Sequence, residues 1–287
     1  MNRTRIIALS VFAALSLAGC SNWKESVHTK KQTEMLYTGM VVDKAHALAV
    51  GRSGVTRYSN DGGQRWLAGT NSSMCLYGCN ALDENTLYAT GNKRQVIFST
   101  NGGDKWVHAS EIGGTAPLGK SISFSSPQNG FVSSKRWLGI TTDGGKTWTE
   151  INLPKGASMI ETVCSTGPAA GYMVSELKDI FRTADGGQRW EKLSSPYAAL
   201  TVKFKPLFCL DNQGVALYVK GDKGVLASVG TVEKQDTLLI SETSDGGKTW
   251  AKPELHKLKK IPRSVSISPK GYVSVFNKDL TITGFTR

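Results

Sequence analysis

Apolar and polar residues alternate in short runs along most of this chain. Two examples are residues 95–99, Gln-Val-Ile-Phe-Ser, and residues 237–241, Thr-Leu-Leu-Ile-Ser. Short runs rich in β-branched and aromatic residues, bounded by Gly, Asn, Asp or Pro, predict strands joined by tight turns. No segment shows the apolar spacing of an amphipathic helix. The pattern therefore predicts an all-β protein.

The N-terminus departs from this pattern. Arg3 and Arg5 precede an apolar run over residues 6–18, which is shorter than the ~20 residues that a membrane-spanning helix requires. A basic start, a short apolar core and small residues before a cleavage point predict a secretory signal. Cys20 directly follows Leu-Ala-Gly, an arrangement that resembles a bacterial lipobox. We therefore expect residues 1–19 to be removed and Cys20 to carry lipid.

The alternative for this segment is a plain signal peptide that is cleaved near Ala18. Ser21, rather than Asp, follows the cysteine. By analogy with bacterial lipoproteins, this favours the periplasmic side of the outer membrane if the cell is Gram-negative. Residues 20–287 are expected to form a single domain, because they are enough for one large β core.

One turn sequence, Ser/Thr-x-Asp/Asn-Gly-Gly-x-x-Trp, occurs five times, at residues 59–66, 99–106, 141–148, 183–190 and 243–250. The Asp or Asn side chain can accept hydrogen bonds from turn N–H groups, and glycine adopts positive φ without a Cβ clash. The Trp begins the next strand, where its large apolar area can pack against the hairpin. The residues to which we assign this structural role are Asp61 and Trp66, Asn101 and Trp106, Asp143 and Trp148, Asp185 and Trp190, and Asp245 and Trp250.

This pattern resembles the Asp-box of BNR-repeat β-propellers, a superfamily that includes the sialidases and the photosystem II assembly and stability factors. The resemblance implies four-stranded blades in which the box joins the third strand, C, to the fourth, D. The first four box tryptophans recur about every 40–42 residues, which fits the ~40–45-residue period of such blades. The last follows after about 60 residues, an interval expected to hold one blade plus an insertion between Lys220 and Asp236.

The two ends of the chain are predicted to share one blade. Residues 264–267, 272–276 and 280–283 have the pattern of strands A, B and C. Trp23 stands about one repeat before Trp66 but has no box of its own, so the segment that it opens can supply strand D. Such closure would leave no exposed sheet edge. The count is then six blades, or seven if the longest interval hides a degenerate blade.

The resemblance to sialidases makes a glycosidase the first enzymatic possibility. It implies an arginine triad, a Tyr–Glu nucleophile pair, an acid Asp and an Arg-Ile-Pro motif. That motif is absent here, since Ile261-Pro262-Arg263 has a different order. Boxes lie at blade peripheries and carry no catalysis in that family, and the spacing identifies no pair of carboxylates for acid–base chemistry. We therefore predict no catalytic residues and no enzyme.

Metal and cofactor sites are not predicted. The four histidines lack Cys, Asp or Glu at ligand spacing, and the glycines belong to β turns. After export, four cysteines would meet an oxidising compartment, and they allow three pairings. Cys164 and Cys209 lie in the inner strands of neighbouring predicted blades and form the candidate disulfide. Cys75 and Cys79 are too far apart to pair in a straight strand.

The positive charge suggests a partner. The net charge is +12, which favours acidic partners or anionic surfaces. In an up-and-down blade the A–B and C–D turns lie on one face, and the B–C and D–A connections lie on the other. Cations assigned to B–C turns, and predicted to bind the partner, are Arg52, Lys93, Arg94, Lys135, Arg136, Lys178, Lys220 and Lys278, with Lys223 beside Lys220. The D–A connections add Lys30, Lys31, Lys155, Lys257, Lys259, Lys260 and Arg263.

The predicted partner of this face is an acidic protein surface or an anionic envelope polymer, although hairpin-tip charges also serve solubility alone. Trp23 would place the lipid on the opposite, Asp-box face, so membrane contact is expected through the anchor only. Nucleic acid is not expected, because no recognition motif occurs. The favoured function is an envelope binding or assembly scaffold, and the photosystem-factor resemblance implies help in membrane-protein assembly. Alternatives are a glycosidase or glycan-binding lectin, and a mobile-element surface lipoprotein that blocks a receptor.

Overall fold

The computed structural model describes residues 23–29, 35–69, 74–114, 116, 118–198, 200, 202–204 and 214–287. Within these ranges the chain forms 25 strands in six antiparallel sheets, and its helical content is one 3-10 turn at Arg52–Gly54. These sheets are the blades of a six-bladed propeller, which confirms the predicted class and blade count. None of the described residues forms a helix long and apolar enough to cross a membrane.

Strands A to D of each blade run from the propeller axis outwards. Blade 1 contains β2 (Leu36–Val41), β3 (Ala47–Gly51), β4 (Thr56–Ser59) and β5 (Leu67–Ala68). Blade 2 contains β6 (Leu76–Ala81), β7 (Leu87–Gly91), β8 (Gln95–Ser99) and β9 (Val107–Glu111). Blade 3 contains β10 (Ser121–Phe124), β11 (Gly130–Ser133), β12 (Leu138–Thr141) and β13 (Thr149–Glu150).

The second half of the chain builds the remaining blades. Blade 4 contains β14 (Ile160–Ser165), β15 (Gly171–Ser175), β16 (Ile180–Thr183) and β17 (Glu191–Leu193). Blade 5 contains β18 (Lys203–Phe204), β19 (Val215–Lys220), β20 (Lys223–Val232), β21 (Gln235–Thr243) and β22 (Glu254–Lys257). Blade 6 contains β23 (Pro262–Ile267), β24 (Val273–Asn277) and β25 (Ile282–Thr286), and its strand D is β1 (Lys24–His28).

The predicted closure of blade 6 by the N-terminal segment is confirmed. Strand β1 pairs antiparallel with β25, in a register that runs from Lys24 opposite Thr286 to His28 opposite Thr283. Trp23 is 4% exposed and packs with Phe285 in a cluster shared by blades 5 and 6. Burial of this aromatic side chain adds to the hydrogen bonds that hold the terminal strand.

Blade 5 corrects the expected insertion between Lys220 and Asp236. This stretch forms β20 and the turn after it, and β20 pairs with β21 along nine residues, from Gly224 opposite Thr243 to Val232 opposite Gln235. The stretch is a strand because Leu226, Ala227 and Val229 are fully buried. The described residues of the long interval belong to one blade, which removes the seven-bladed alternative.

The inner strands surround the axis and form the core. Strands β2, β6, β10, β14, β19 and β23 contact one another around a closed ring. Apolar side chains fill the seams between blades, and Phe131 of blade 3, for example, packs with Ile160 and Phe181 of blade 4. On the Asp-box face, Lys270 Nζ bridges Asp43 Oδ2 and Glu84 Oε2, both at 2.8 Å, and so links blade 6 to blades 1 and 2.

Candidate functional site

Each Asp-box is a hydrogen-bonded turn of the same design. In blade 3 the Asp143 carboxylate accepts hydrogen bonds from the Thr141 hydroxyl at 2.8 Å and the Thr147 N–H at 3.0 Å. The Thr141 hydroxyl also accepts a hydrogen bond from the Gly145 N–H at 2.9 Å. Although burial opposes ionisation, the hydrogen bonds from Thr147 and Thr141 lower the pKa of Asp143 to about 2. The Asp143 carboxylate therefore serves as a hydrogen-bond acceptor within the turn.

Three of the box tryptophans show how the boxes are held in place. The indole Nε1 of Trp148 donates to Ser110 Oγ at 3.1 Å, and that of Trp190 donates to Asn152 O at 2.9 Å. Both acceptors belong to the preceding blade or the connection after it, so these rings bridge neighbouring blades. Trp106 instead donates to Gly103 O within its own box, at 2.9 Å. The boxes thus act as fold elements in the geometry, as their turn chemistry predicts.

The two faces of the disk follow from hydrogen bonds between turns. Box glycines donate to the A–B turns of their own blades, as in Gly62 N to Ala45 O at 2.7 Å and Gly144 N to Gln128 O at 2.9 Å. The boxes and the A–B turns therefore share one face. The B–C turns lie at the other ends of the strands, where β1 also ends at His28.

Lys220 and Lys223 do not lie on the predicted face. They are opposite each other at the hairpin that joins β19 to β20, which is the A–B turn of blade 5. Within this turn, Asp222 O accepts a hydrogen bond from the box residue Gly246 N at 2.8 Å. The B–C turn of blade 5 is instead Glu233-Lys234, between β20 and β21. The assignment of Lys220 to the B–C face is wrong, because residues 223–232 form the paired strand β20 and not an insertion.

Lys178 lies in the predicted turn, but its side chain points inwards. It is 7% exposed, and its Nζ lies 5.3 Å from the ring centroid of Phe204. Burial lowers the pKa of the Lys178 ammonium, and the nearby Glu161 carboxylate opposes that shift. This lysine therefore packs against blade 5 instead of presenting a charge to solvent.

Two further predicted cations already interact with other groups of the protein. Arg94 pairs with Glu111 at 3.5 Å and donates to Gly114 O at 3.1 Å. Lys135 is half-buried and has an interaction partner of its own. Among the described residues, four of the predicted cations lie in B–C turns, are exposed and form no ion pair, and we call them the cationic arc: Arg52, Lys93, Arg136 and Lys278.

The cationic arc extends over four of the six blades on the B–C face. Its members belong to blades 6, 1, 2 and 3, which follow one another around the ring. The B–C turn of blade 4 presents an exposed acid, Glu176, and that of blade 5 presents Glu233 next to the exposed Lys234. Near Lys278, Asp279 is neutralised by Lys260, whose Nζ lies 3.1 Å from Asp279 Oδ2. Within the B–C turns, exposed cations without a compensating acid thus occur on blades 6, 1, 2 and 3.

A ring of side chains that the sequence pattern did not predict lies where the inner strands begin, on the same face. Tyr37 and Tyr77 stack with centroids 5.6 Å apart, and the Lys120 ammonium lies 3.8 Å from the Glu161 carboxylate. Arg263 Nη1 donates to Leu36 O at 3.0 Å. Tyr37, Tyr77, Glu161 and Arg263 sit at irregular steps in the A–B register. The sequence signal that could have revealed these residues is the recurrence of large side chains at the repeat spacing.

The described cysteines show no disulfide. Cys164 is buried and accepts a hydrogen bond from Val219 N at 3.4 Å, and burial raises the pKa of its thiol to about 12. Cys79 is half-buried, and loss of hydration raises the pKa of its thiol to about 12. Cys209 and the lipidation candidate Cys20 lie outside the described residues, so the Cys164–Cys209 bond and the lipid remain predictions.

The carboxyl groups with a shifted pKa serve as hydrogen-bond or ion-pair acceptors. A general acid of glycoside hydrolysis requires a carboxyl group with a raised pKa. In the described part of the chain, every Asp or Glu with a resolved shift has a lowered pKa: Asp43, Asp61, Glu84, Asp143, Asp185, Asp245 and Asp279. Such groups are ionised at neutral pH and suit hydrogen-bond acceptance.

The fold and its boxes define the class of protein: a six-bladed Asp-box β-propeller. Within that class, residues 75–203 match the family model described as photosynthesis system II assembly factor YCF48. The match spans blades 2 to 4 and confirms the predicted resemblance to photosystem II assembly factors. No curated protein matches the chain.

Solved structures agree on the architecture. YCF48 bound to D1 peptide is 16% identical with a TM-score of 0.52, covering 96% of this chain and 99% of that chain. YCF48 from Cyanidioschyzon merolae is 13% identical with a TM-score of 0.56, covering 92% and 98%. The WD40 propeller domain of Doa1 is 13% identical with a TM-score of 0.57, covering 92% and 97%. At these identities the likeness concerns the fold.

Proposed function

We propose that this protein is a non-catalytic envelope scaffold, anchored by lipid at Cys20, which binds an acidic protein partner through the cationic arc and assists assembly. The observation that carries the proposal is the arc itself, since four exposed cations without ion pairs follow one another over four blades. The similarity of residues 75–203 to an assembly-factor family supports the scaffold role.

The position of Trp23 gives the proposed orientation. Trp23 N lies 3.4 Å from Glu254 Oε2, at the start of β22 and therefore on the Asp-box side. Cys20 is three positions earlier in the sequence. A lipid at Cys20 would hold the Asp-box face towards the membrane and turn the cationic arc away from it. A protein partner then fits better than the protein's own bilayer.

The arc is tested by charge reversal. We expect the quadruple variant Arg52→Glu, Lys93→Glu, Arg136→Glu and Lys278→Glu to lose its partner in pull-downs from envelope extract. Recovery by the parent should fall between low and moderate salt, because the Debye length shrinks to about 8 Å at physiological ionic strength.

A matched control reverses four exposed lysines of the Asp-box face: Lys146, Lys220, Lys223 and Lys248. This control variant has the same net charge as the quadruple variant of the arc, and it should recover the partner as well as the parent does. If both folded variants bound as well as the parent, or if both lost the partner equally, the arc would not be the binding site.

The anchor is tested separately. We expect Cys20→Ala to move the protein from the membrane fraction to the soluble periplasmic fraction, because the lipid has no other predicted attachment point. Fractionation after carbonate washing measures this. Membrane retention of the Cys20→Ala protein through the wash contradicts the lipoprotein assignment and leaves the arc proposal intact.

A further inference from the structure

The cationic arc has an apolar inner border. Large hydrophobic side chains that remain exposed in the described residues are Met35, Leu67, Val107, Leu177 and Ile261. Met35 and Ile261 directly precede the inner strands β2 and β23, and they are 49% and 58% exposed. Both lie on the B–C face, and both belong to blades that carry the arc.

Hydrogen bonds place each of these residues beside a cation of the arc. Met35 O accepts from Arg52 N at 2.8 Å, and Ile261 O accepts from Lys278 N at 2.7 Å. The Arg52 guanidinium also lies 3.5 Å from the Met35 sulfur. One apolar side chain and one cation therefore stand side by side at the same end of blades 6 and 1.

The same arrangement extends into blade 2. Cys75 O accepts from Asn92 N at 2.9 Å, next to Lys93 in the chain, and Cys75 Sγ lies 3.5 Å from Ser53 N of blade 1. We call Ile261, Met35 and Cys75 the apolar rim. The rim lies nearer the axis than the B–C turns, because its members directly precede the inner strands β2, β6 and β23, and the cations of the B–C turns lie outside it.

Two parallel tracks of different chemistry fit a linear ligand. In an extended peptide, successive side chains point to opposite edges. A segment laid along blades 6, 1 and 2 could direct every second side chain towards the apolar rim and the intervening ones towards Arg52, Lys93 and Lys278. A polyphosphate chain, which has no apolar surface, would leave the rim unused.

From this geometry we propose that the cationic arc and the apolar rim together bind an extended protein segment in which acidic and apolar residues alternate. The inference rests on the proposed function and names the chemistry of its partner. Charge complementarity selects acidic side chains, and the exposed Met35 and Ile261 require apolar ones between them.

The probe is a labelled synthetic peptide of alternating Asp and Leu with Gly-Ser ends, measured by fluorescence anisotropy against the full chain carrying Cys20→Ser. A block peptide with all Asp before all Leu has the same composition and charge. We expect the alternating peptide to bind at least about fivefold more tightly, because only its spacing satisfies both tracks. Equal affinities for the two peptides would overturn the proposal.

Single variants locate the binding. We expect Met35→Ser and Ile261→Ser each to weaken the alternating peptide about three- to tenfold, through loss of apolar contact area. The control Leu177→Ser removes a side chain that is 71% exposed on the same face but outside the arc, and it should stay within about twofold of the parent. A loss with Leu177→Ser equal to that with Ile261→Ser contradicts the rim.

Cations are compared in the same way. Lys278→Gln should weaken the peptide about three- to tenfold, whereas Lys234→Gln, at the B–C turn of blade 5, should have little effect. Vesicles of anionic phosphatidylglycerol form the last arm. If the chain sediments with them through Met35 and Ile261 while the peptide does not bind, the face contacts a membrane and the proposal fails.

These outcomes are distinguishable from those of the pull-down. Loss of the partner by the charge-reversed quadruple variant, with unchanged peptide binding by Met35→Ser and Ile261→Ser, retains the arc and rejects the apolar rim. Full recovery of the partner by the quadruple variant rejects the proposed function whatever the peptide does.

Discussion

Replacing Glu161 with Leu should destabilise the protein by about 3–5 kcal/mol, because it leaves a buried ammonium without the carboxylate that faces it. The Lys120 side chain is 2% exposed and that of Glu161 is 9% exposed, and their charged atoms lie 3.8 Å apart. Lys120 also donates to Ile160 O at 3.1 Å, so it cannot turn out to solvent without losing that bond. Lys178 adds a second poorly hydrated cation close to Glu161.

The double variant Lys120→Met with Glu161→Leu is the matched control. It removes both charges and keeps similar volumes, and such replacements of buried pairs are often neutral or stabilising. We expect urea denaturation to show a large loss for Glu161→Leu and substantial recovery for the double variant. A loss below about 1 kcal/mol for the single variant would falsify the claim that this carboxylate is needed for its buried neighbour.

Trp148→Ala should cost about 2–4 kcal/mol, slightly below the 3–5 kcal/mol typical of fully buried aromatic residues. The indole is half-buried, packs edge to face with Phe124 at 6.0 Å, and donates to Ser110 Oγ. Its removal opens the seam between blades 2 and 3. Asp143→Ala should cost about 1–3 kcal/mol, because it leaves turn N–H and hydroxyl groups unpaired.

Thermal melts and peptide binding together test this structural role of the box. Both variants should melt earlier than the parent, and the folded fraction should bind the alternating Asp-Leu peptide normally. Melting temperatures equal to that of the parent, combined with lost binding, would instead make the Asp-box of blade 3 a functional surface.

The sequence was most informative where structure is determined locally. Each Asp-box encodes its own turn through residues within eight positions, so the boxes, the blade period and the face on which they lie could be predicted. The closure of blade 6 by the segment that begins at Trp23 could also be predicted, because it required only a missing strand at one end of the chain and a surplus strand at the other.

Properties that depend on contacts between blades, or between strands of one blade that are separated in sequence, could not be predicted. The inward turn of Lys178 depends on Phe204 of the next blade, and the pairing of Arg94 depends on Glu111 across the sheet. The Lys120–Glu161 pair joins residues of two blades that are distant in sequence. The predicted position of Lys220 was wrong for a different reason. Strand β20 contains Gly and charged residues, so its composition does not indicate that it is a buried strand.

The pairing of β1 with β25 has a consequence for how the molecule is made. Residues 24–28 are synthesised early, but their hydrogen-bonding partners at 283–286 come at the far end of the sequence. Contacts this distant in sequence form slowly, because closing so long a loop costs much conformational entropy. During biosynthesis, five blades can therefore form while β1 is still without its partner strand β25. Until β25 is available, the backbone groups of β1 lack their native partners, and an unpaired strand of this kind can pair with a second chain.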